Sequence, residues 1–453
     1  MKIIIAGNGK MGRALTRQLT SEGHDITLID SKNSVLESSI ELFDVMAVYG
    51  NCASMEVLRQ ANVAEADLLI AATNADEVNL LCCMTAHGMN RRLHTIARIR
   101  NPEYTEQAYA LRDVFGLSLA VNPELQTAAE IDRLLKYPGF LKRDTFAKGR
   151  VEIVELLVDE RSKLCNVTLM HLGGIVKCRV LVCAVLRNGR TVAPDGNFVI
   201  KAHDKLFVTA TSNNLAMLLD NLGIVTRRVR RAILCGGGRL GYYLANRLSQ
   251  SGVGVQLIEQ NAARCKQLAD MLPDVSIING DASDTTLLES ENLRGSDALV
   301  TMTGLDELNM IISLYGRSVG VPHIVTKISH NENSDIVDGL PLGSVICPKE
   351  LSTNTIVRYV RAMQNQVGAA LSVHSIANGQ VEALEFRVDS NTPHCGVELR
   401  DIHLKRNVLI VCITSKDGPV IANGSSSYEP GDTVVLVTSS DTIIHNLNEM
   451  FDD

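Results

Sequence analysis

Lys2-Ile3-Ile4-Ile5-Ala6-Gly7-Asn8-Gly9-Lys10-Met11-Gly12 opens this chain, and Ala232-Ile233-Leu234-Cys235-Gly236-Gly237-Gly238-Arg239-Leu240-Gly241 repeats its pattern 229 residues later. In each, a buried-type strand runs into G-x-G-x-x-G at the start of a helix. An acid follows at the same later step, Asp30 in the first copy and Glu259 in the second. A lone glycine triplet is weak evidence. The strand before it, the helix after it and the acid about 20 residues on together make a dinucleotide-binding fingerprint. Two copies in register point to two nucleotide sites, an unusual arrangement for an ordinary enzyme.

Each residue type has a physical task. Gly7 allows a tight turn, Gly9 lets backbone N–H groups approach a diphosphate, and Gly12 permits close helix–strand packing. The helix that starts near Lys10 aims unpaired N–H groups and its positive dipole end at the phosphates. Asp30 is placed to accept hydrogen bonds from ribose hydroxyls, and its charge disfavours a 2′-phosphate, so NAD(H) is expected over NADP(H). Lys32 lies close enough to soften that preference. Gly236, Gly238, Gly241 and Glu259 take the same roles in the second copy.

Further candidates sit where later strands end. Asn51 and Asp281 follow the third strand of each copy, as adenine contacts or as turn residues. Thr73 and Asn74, and in the second copy Thr303 and Gly304, follow the fourth strand beside the expected diphosphate. Arg98 ends the fifth strand and Lys327 is its counterpart; each is a phosphate partner or a solvated surface charge.

Strand-like runs at 2–6, 25–30, 44–49, 67–72 and 94–98 alternate with helical patterns at 11–21, 32–42, 55–61 and 77–88. The rhythm returns from 231 to 328. Such alternation predicts an α/β fold with a doubly wound parallel sheet in each half. After each copy an amphipathic helix is expected, from Pro123 to about Tyr137 and from Pro348 to about Met363, and then a small β-rich module. The expected division is 1–137, 138–226, 227–364 and 365–453: a Rossmann-like domain and a small α+β domain, each twice. The run Arg227-Arg228-Val229-Arg230-Arg231 near the central boundary is a solvated linker or a phosphate or partner contact. The apolar stripes of the two amphipathic helices, Ala128, Ile131, Leu134 and Leu135 in the first, call for partners, and a homo-oligomer is expected.

At 453 residues the chain exceeds one core. Its net charge of −7 argues against binding nucleic acid through bulk charge. The 11 cysteines contain no C-x-x-C pair, so neither a disulfide framework nor a zinc site is expected, and Cys82-Cys83 fit a core helix. Met1 leads directly into the first strand, so no signal peptide is expected. No apolar run approaches the roughly 20 residues of a membrane helix.

Beyond the fingerprint, Thr73-Asn74-Ala75-Asp76-Glu77-Val78-Asn79, Ala97-Arg98-Ile99-Arg100-Asn101-Pro102-Glu103-Tyr104 and Gly280-Asp281-Ala282-Ser283 carry a resemblance. Over essentially its whole length the chain resembles the TrkA-type peripheral subunits of bacterial Trk potassium uptake systems, built from paired RCK (KTN) domains. The resemblance implies a cytosolic regulator that binds NAD(H), with ATP or ADP as further ligands. It also implies a position beneath a potassium-transporting integral membrane subunit, and a ring of several chains, a tetramer by analogy. Family nucleotide contacts fall on Gly7, Asn8, Gly9, Lys10, Met11, Asp30, Thr73, Asn74 and Arg98. In the second half they fall on Gly236, Gly237, Gly238, Arg239, Leu240, Glu259, Asp281 and Thr303. Gly304 and Lys327 depart from the first half, which implies a different nucleotide preference there.

An NAD-dependent oxidoreductase is the alternative. It needs a substrate pocket with a positioned acid or base. His171, His203, His394 and His403 occupy no matching positions in the two small modules, so no catalytic residue is expected and no metal site is assigned.

Overall fold

The computed structural model describes the chain except residues 137–139, 148–149, 225–228, 330–336, 338–339, 364–369, 378–379, 440–441, 443, 445 and 453. The three expected domain boundaries, and with them Arg227 and Arg228, lie outside the described residues.

In the first half β1 (Lys2–Ala6), β2 (Asp25–Asp30), β3 (Met46–Tyr49), β4 (Leu68–Ala71), β5 (His94–Arg98) and β6 (Leu119–Val121) form one parallel sheet in the order β3-β2-β1-β4-β5-β6. The Ile-rich run of β1 and the Leu-Leu-Ile-Ala run of β4 are almost wholly buried, as central strands covered by helices on both faces must be. Between them lies the switch in strand order, where a doubly wound sheet opens its ligand crevice.

Downstream, β7 (Lys142–Phe146), β8 (Val151–Leu157), β9 (Leu181–Arg187), β10 (Arg190–Val192) and β11 (Lys205–Thr211) make an antiparallel sheet in the order β10-β9-β11-β8-β7. The second half repeats both sheets. β12 (Arg231–Cys235), β13 (Gly254–Glu259), β14 (Ser276–Asn279), β15 (Ala298–Thr301), β16 (His323–Lys327) and β17 (Ser344–Ile346) are parallel in the order β14-β13-β12-β15-β16-β17. β18 (Ser372–Ile376), β19 (Val381–Arg387), β20 (Val408–Ser415), β21 (Gly418–Ile421) and β22 (Thr433–Ser439) are antiparallel in the order β18-β19-β22-β20-β21.

The two halves exchange helices. Ala128, Ile131 and Leu135 of the helix Pro123–Lys136 are buried against Leu240, Tyr243, Leu244 and Leu248 of the helix Arg239–Gln250, in the core of the other half. Reciprocally, Ile356, Val357 and Val360 of the helix Pro348–Met363 are buried against Met11, Leu15 and Leu19. The stripes that the sequence leaves in need of partners are thus covered within the chain. They give no argument for a second copy.

Polar contacts fix the register of this exchange. Arg361 donates to both carboxylate oxygens of Glu22, at 3.0 and 2.6 Å, and Arg247 donates to the buried Asp132 at 2.6 Å. Desolvation offsets much of what such sheltered pairs gain. Each fully buried Leu, Ile or Val contributes about 1.5–3 kcal/mol, so the apolar stripes hold the helices and the ion pairs align them.

The small sheets also meet across the halves. Phe146, Ile153 and Phe207 share a core with Ile376, Ala383 and Val435. His374 Nδ1 and Asp144 Oδ1 lie 2.9 Å apart, and Ala147 N donates to Glu385 at 3.2 Å. Cys82 and Cys83 lie in the first-half core, and burial pushes the Cys83 thiol up to about 12.

If the exchanged helix is a core element of the other half, Ile131→Ala should cost about 2–5 kcal/mol in urea unfolding. It should also speed amide exchange in the helix Arg239–Gln250. Unchanged exchange there, with loosening confined to the first half, would show that the helix is not coupled to that core.

Candidate nucleotide sites

Both glycine loops form at the switch in strand order. Gly7 has φ +96° and Gly236 φ +117°, a region that L side chains rarely adopt. A Cβ on Gly7 would lie 2.7 Å from Thr73 N, and one on Gly12 would lie 2.0 Å from Gly7 O; Gly241 is as tight, 2.2 Å from Gly236 O. These four glycines are required by the turn itself. Gly9 and Gly238 differ: nothing lies within 4 Å of a Cβ on either. Their faces are open, where a phosphate would approach. Each stands at the N-cap of a 12-residue helix, Lys10–Ser21 or Arg239–Gln250, without a side-chain cap. The orphan N–H groups of each first turn are left for an anion.

The acid at the end of the second strand is tied into each loop. Asp30 accepts from Asn8 N at 2.7 Å and Lys32 N at 2.9 Å, and Glu259 accepts from Gly237 N and Asn261 N, both at 2.8 Å. The residue pairs are matched in size. Asn8 turns its buried side chain to Ser39 Oγ at 2.7 Å and Val35 O at 3.1 Å, away from the crevice. Its counterpart is Gly237, where a Cβ would lie 2.6 Å from Leu268 Cδ1 and 2.9 Å from Glu259 Cβ. Met11 and Leu240 lie in the cores, so only their backbone faces the crevice.

Asn51 and Asp281 stand in turns after β3 and β14. Asn51 Oδ1 accepts from Ala53 N at 3.0 Å, and Asp281 Oδ1 accepts from Ser283 N and Ser283 Oγ at 2.8 Å. Those bonds hold the Asp281 carboxyl below its usual pKa. Both residues are exposed, so the turn role coexists with an open side toward the crevice.

The far wall rests on a residue outside the sequence-derived candidates. Asn79, fully buried, accepts from Thr73 N at 2.8 Å and Thr73 Oγ1 at 2.7 Å, and donates to Arg98 O at 2.8 Å. Asn309 repeats this, accepting from Thr303 N and Thr303 Oγ1 at 2.8 Å and donating to Lys327 O at 3.0 Å. Asp76 fastens the next loop, accepting from Arg100 N and Asn101 N, and Asp306 accepts from Ser329 N. The signal was present: Asp76-Glu77-Val78-Asn79 returns as Asp306-Glu307-Leu308-Asn309.

Arg98 and Lys327 point into these walls. An Arg98 terminal nitrogen donates to Thr73 O at 2.5 Å and Asn74 Oδ1 at 3.2 Å; Lys327 Nζ donates to Thr303 O at 2.7 Å, with glycine at 304. Burial lowers the pKa of both below the ordinary value. Like charges push the same way. Arg100 and Arg239 of the second loop act on Arg98, and Lys10 of the first loop acts on Lys327 against Asp306 and Glu124. Lys10 lines one cavity with Ile328, Cys347 and Lys349 of the second half, and Arg239 lines a cleft with Asn101, Pro102 and Glu103 of the first, so each loop brings a cation to the other half. Among the described residues, none of Lys10, Arg98, Arg239 and Lys327 is in an ion pair. Arg98 and Lys327 are half-buried, each with its charged end on a backbone carbonyl of the wall.

Elsewhere, His171 bonds Thr168 Oγ1 and His203 stands exposed beside Glu160. Among the described residues, no group of three or more His, Cys, Asp and Glu is placed to hold a metal ion, and no helix is long and apolar enough to cross a membrane.

Two Rossmann-type sheets, each with its glycine loop and an acid at the end of the second strand, joined to two small antiparallel sheets, define a tandem RCK-type protein. The TrkA-N domain model matches residues 3–123 and 232–348, and the TrkA-C domain model matches 153–223. The chain belongs to the TrkA family. It is 31% identical to the Trk system potassium uptake protein TrkA homolog of Archaeoglobus fulgidus, over 100% of both chains. With the Trk system potassium uptake protein TrkA of Vibrio alginolyticus it shares 29% identity, over 100% of this chain and 98% of that one. A solved structure described as the GsuK channel bound to NAD shares the fold at TM-score 0.61 and 19% identity, covering 97% of this chain and 77% of that one.

Lys327 gives the second site a pH signature. Between its depressed pKa and the ordinary 10.5, the free protein holds the amine partly neutral. A bound phosphate favours the charged form. Binding in that window should take up a proton, and affinity should fall as pH rises through it. Lys327→Arg should abolish the uptake, as seen by calorimetry in two buffers of different ionisation enthalpy. Equal uptake in both proteins would acquit Lys327.

Proposed function

We propose that this chain is the nucleotide-binding regulatory subunit of a Trk-type potassium uptake system. It binds NAD(H), and ATP or ADP, in two sites per chain, and acts at the cytoplasmic face of the inner membrane on an integral potassium-transporting subunit. The functional units are 1–137 and 227–364, which bind nucleotide, and the small domains 138–226 and 365–453. The observation that carries this reading is the pair of glycine loops, open at Gly9 and Gly238 and each tied to the acid that ends the second strand. Family membership and the names of the full-length relatives support the potassium role, and the NAD-bound GsuK structure supports the ligand class.

In this reading Gly7, Gly9, Gly12 and Gly236, Gly238, Gly241 cradle diphosphate, Asp30 and Glu259 hold ribose, and Asn51 and Asp281 flank adenine. Thr73, Asn74 and Thr303 line the far side. Two like charges face each site, Arg98 with Arg239 and Lys327 with Lys10. Bound phosphates neutralise both charges and draw the halves together. A nucleotide that binds the closed arrangement better shifts the population by its difference in affinity, and that shift is the signal. The nucleotide is sensed and not consumed.

Self-association rests on a different surface from the exchanged helices. Leu81 and Met84 of the helix Asp76–Met89, and Ile311 at the position equivalent to Leu81, are exposed in both halves. Exposed apolar side chains on matching helices fit a homo-oligomer, a tetramer by analogy.

Calorimetric titration with NADH and ATP tests the binding reading. Two sites per chain are expected, with Gly9→Asp removing the first and Gly238→Asp the second. A side chain is accommodated at both positions, so the variants should fold. A protein that binds neither nucleotide would refute the proposal.

A further inference from the structure

The two halves differ most at one open sheet edge. Ile40, Leu42, Met46, Tyr49 and Met55, on and beside the edge strand β3, are each at least half exposed. The equivalent edge of the second half carries Ser276, Asn279 and Thr285 in place of Met46, Tyr49 and Met55, 230 residues on, and Ala269 in place of Ile40 in the preceding helix, 229 residues on. Met271, the counterpart of Leu42, is less exposed, 45% against 71%. The same fold is therefore built with a much less apolar edge, and Ile40, Met46, Tyr49 and Met55 are not a requirement of folding. A concentrated exposed apolar edge is a binding face.

Charge decides what binds it. Glu41 and Asp44 are exposed on the turn that leads into β3, and Glu37 is exposed on the helix before it, where it accepts from Asn33; Glu56 beyond the strand is paired with Arg59. A second copy placed by a two-fold axis would bring Glu41 and Asp44 against their own equivalents, a like-charge contact. A Lys- and Arg-rich segment with apolar side chains complements both features. Cytoplasmic loops of membrane proteins carry that excess of Lys and Arg. We propose that the β3 edge docks a basic, apolar cytoplasmic segment of the potassium-transporting membrane subunit, laid along the open strand. This rests on the reading above that such a subunit is the partner.

The full-length protein is sedimented with vesicles reconstituted with the potassium-transporting subunit of the same cell. Ile40→Ala/Met46→Ser/Met55→Thr, which installs the second half's own residues, should bind about ten-fold more weakly or worse. Its NADH binding and oligomeric size should match the parent. Glu41→Lys/Asp44→Lys, confined to exposed positions, should weaken binding likewise. Binding within about two-fold of the parent in both variants overturns the proposal. So does a changed oligomeric size with unchanged vesicle binding, which would assign the edge to a second copy. A parent protein that ignores the vesicles while binding NADH removes the membrane partner, and the docking edge with it.

Discussion

The reciprocal exchange of two helices is the constraint on which the rest depends. Ile131 sits in the second half's core and Val360 in the first half's, so neither Rossmann-type unit completes its core alone. That arrangement turns the carboxyl ends of the two parallel sheets toward each other. Only then does Lys10 share a cavity with Ile328 and Cys347, and Arg239 a cleft with Asn101 and Glu103. Had each helix folded back on its own sheet, the two sites would be independent. As built, a charge placed in one crevice is felt by a loop of the other half.

The same exchange marks how far the sequence could be followed. Strands β1, β2 and β5 fall on the expected residues, because buried parallel strands read as unbroken apolar runs bounded by turns. β6 and β17 were not anticipated; three residues give no periodicity to detect. The helices from Pro123 and Pro348 were legible as amphipathic, but a stripe does not name its partner. Their burial inside the chain, and the face-to-face packing of the small sheets, are tertiary choices.

At the sites, the duplicated glycines and acids were legible because each has a local backbone reason. Asn79 and Asn309 were not, since a buried amide that braces two strand ends has no local motif. Only its recurrence in both halves betrays it. Asn8 illustrates the reverse: its place in the loop suggests a ligand contact, yet the side chain braces the helix Asn33–Ile40. The second loop replaces it with Gly237, where Leu268 and Glu259 leave no room for a Cβ, so the two loops share a plan and differ in detail. With Gly304 and Lys327 opposite Asn74 and Arg98, that difference suits two ligands of unequal fit.

The account stands or falls on whether occupancy of these crevices controls potassium entry. The direct measurement is potassium influx in potassium-depleted cells that lack this chain and every other uptake route. The account predicts that influx is impaired, that the intact gene restores it, and that Asp30→Ala or Glu259→Ala restores it only partly. Normal influx without the chain would contradict it.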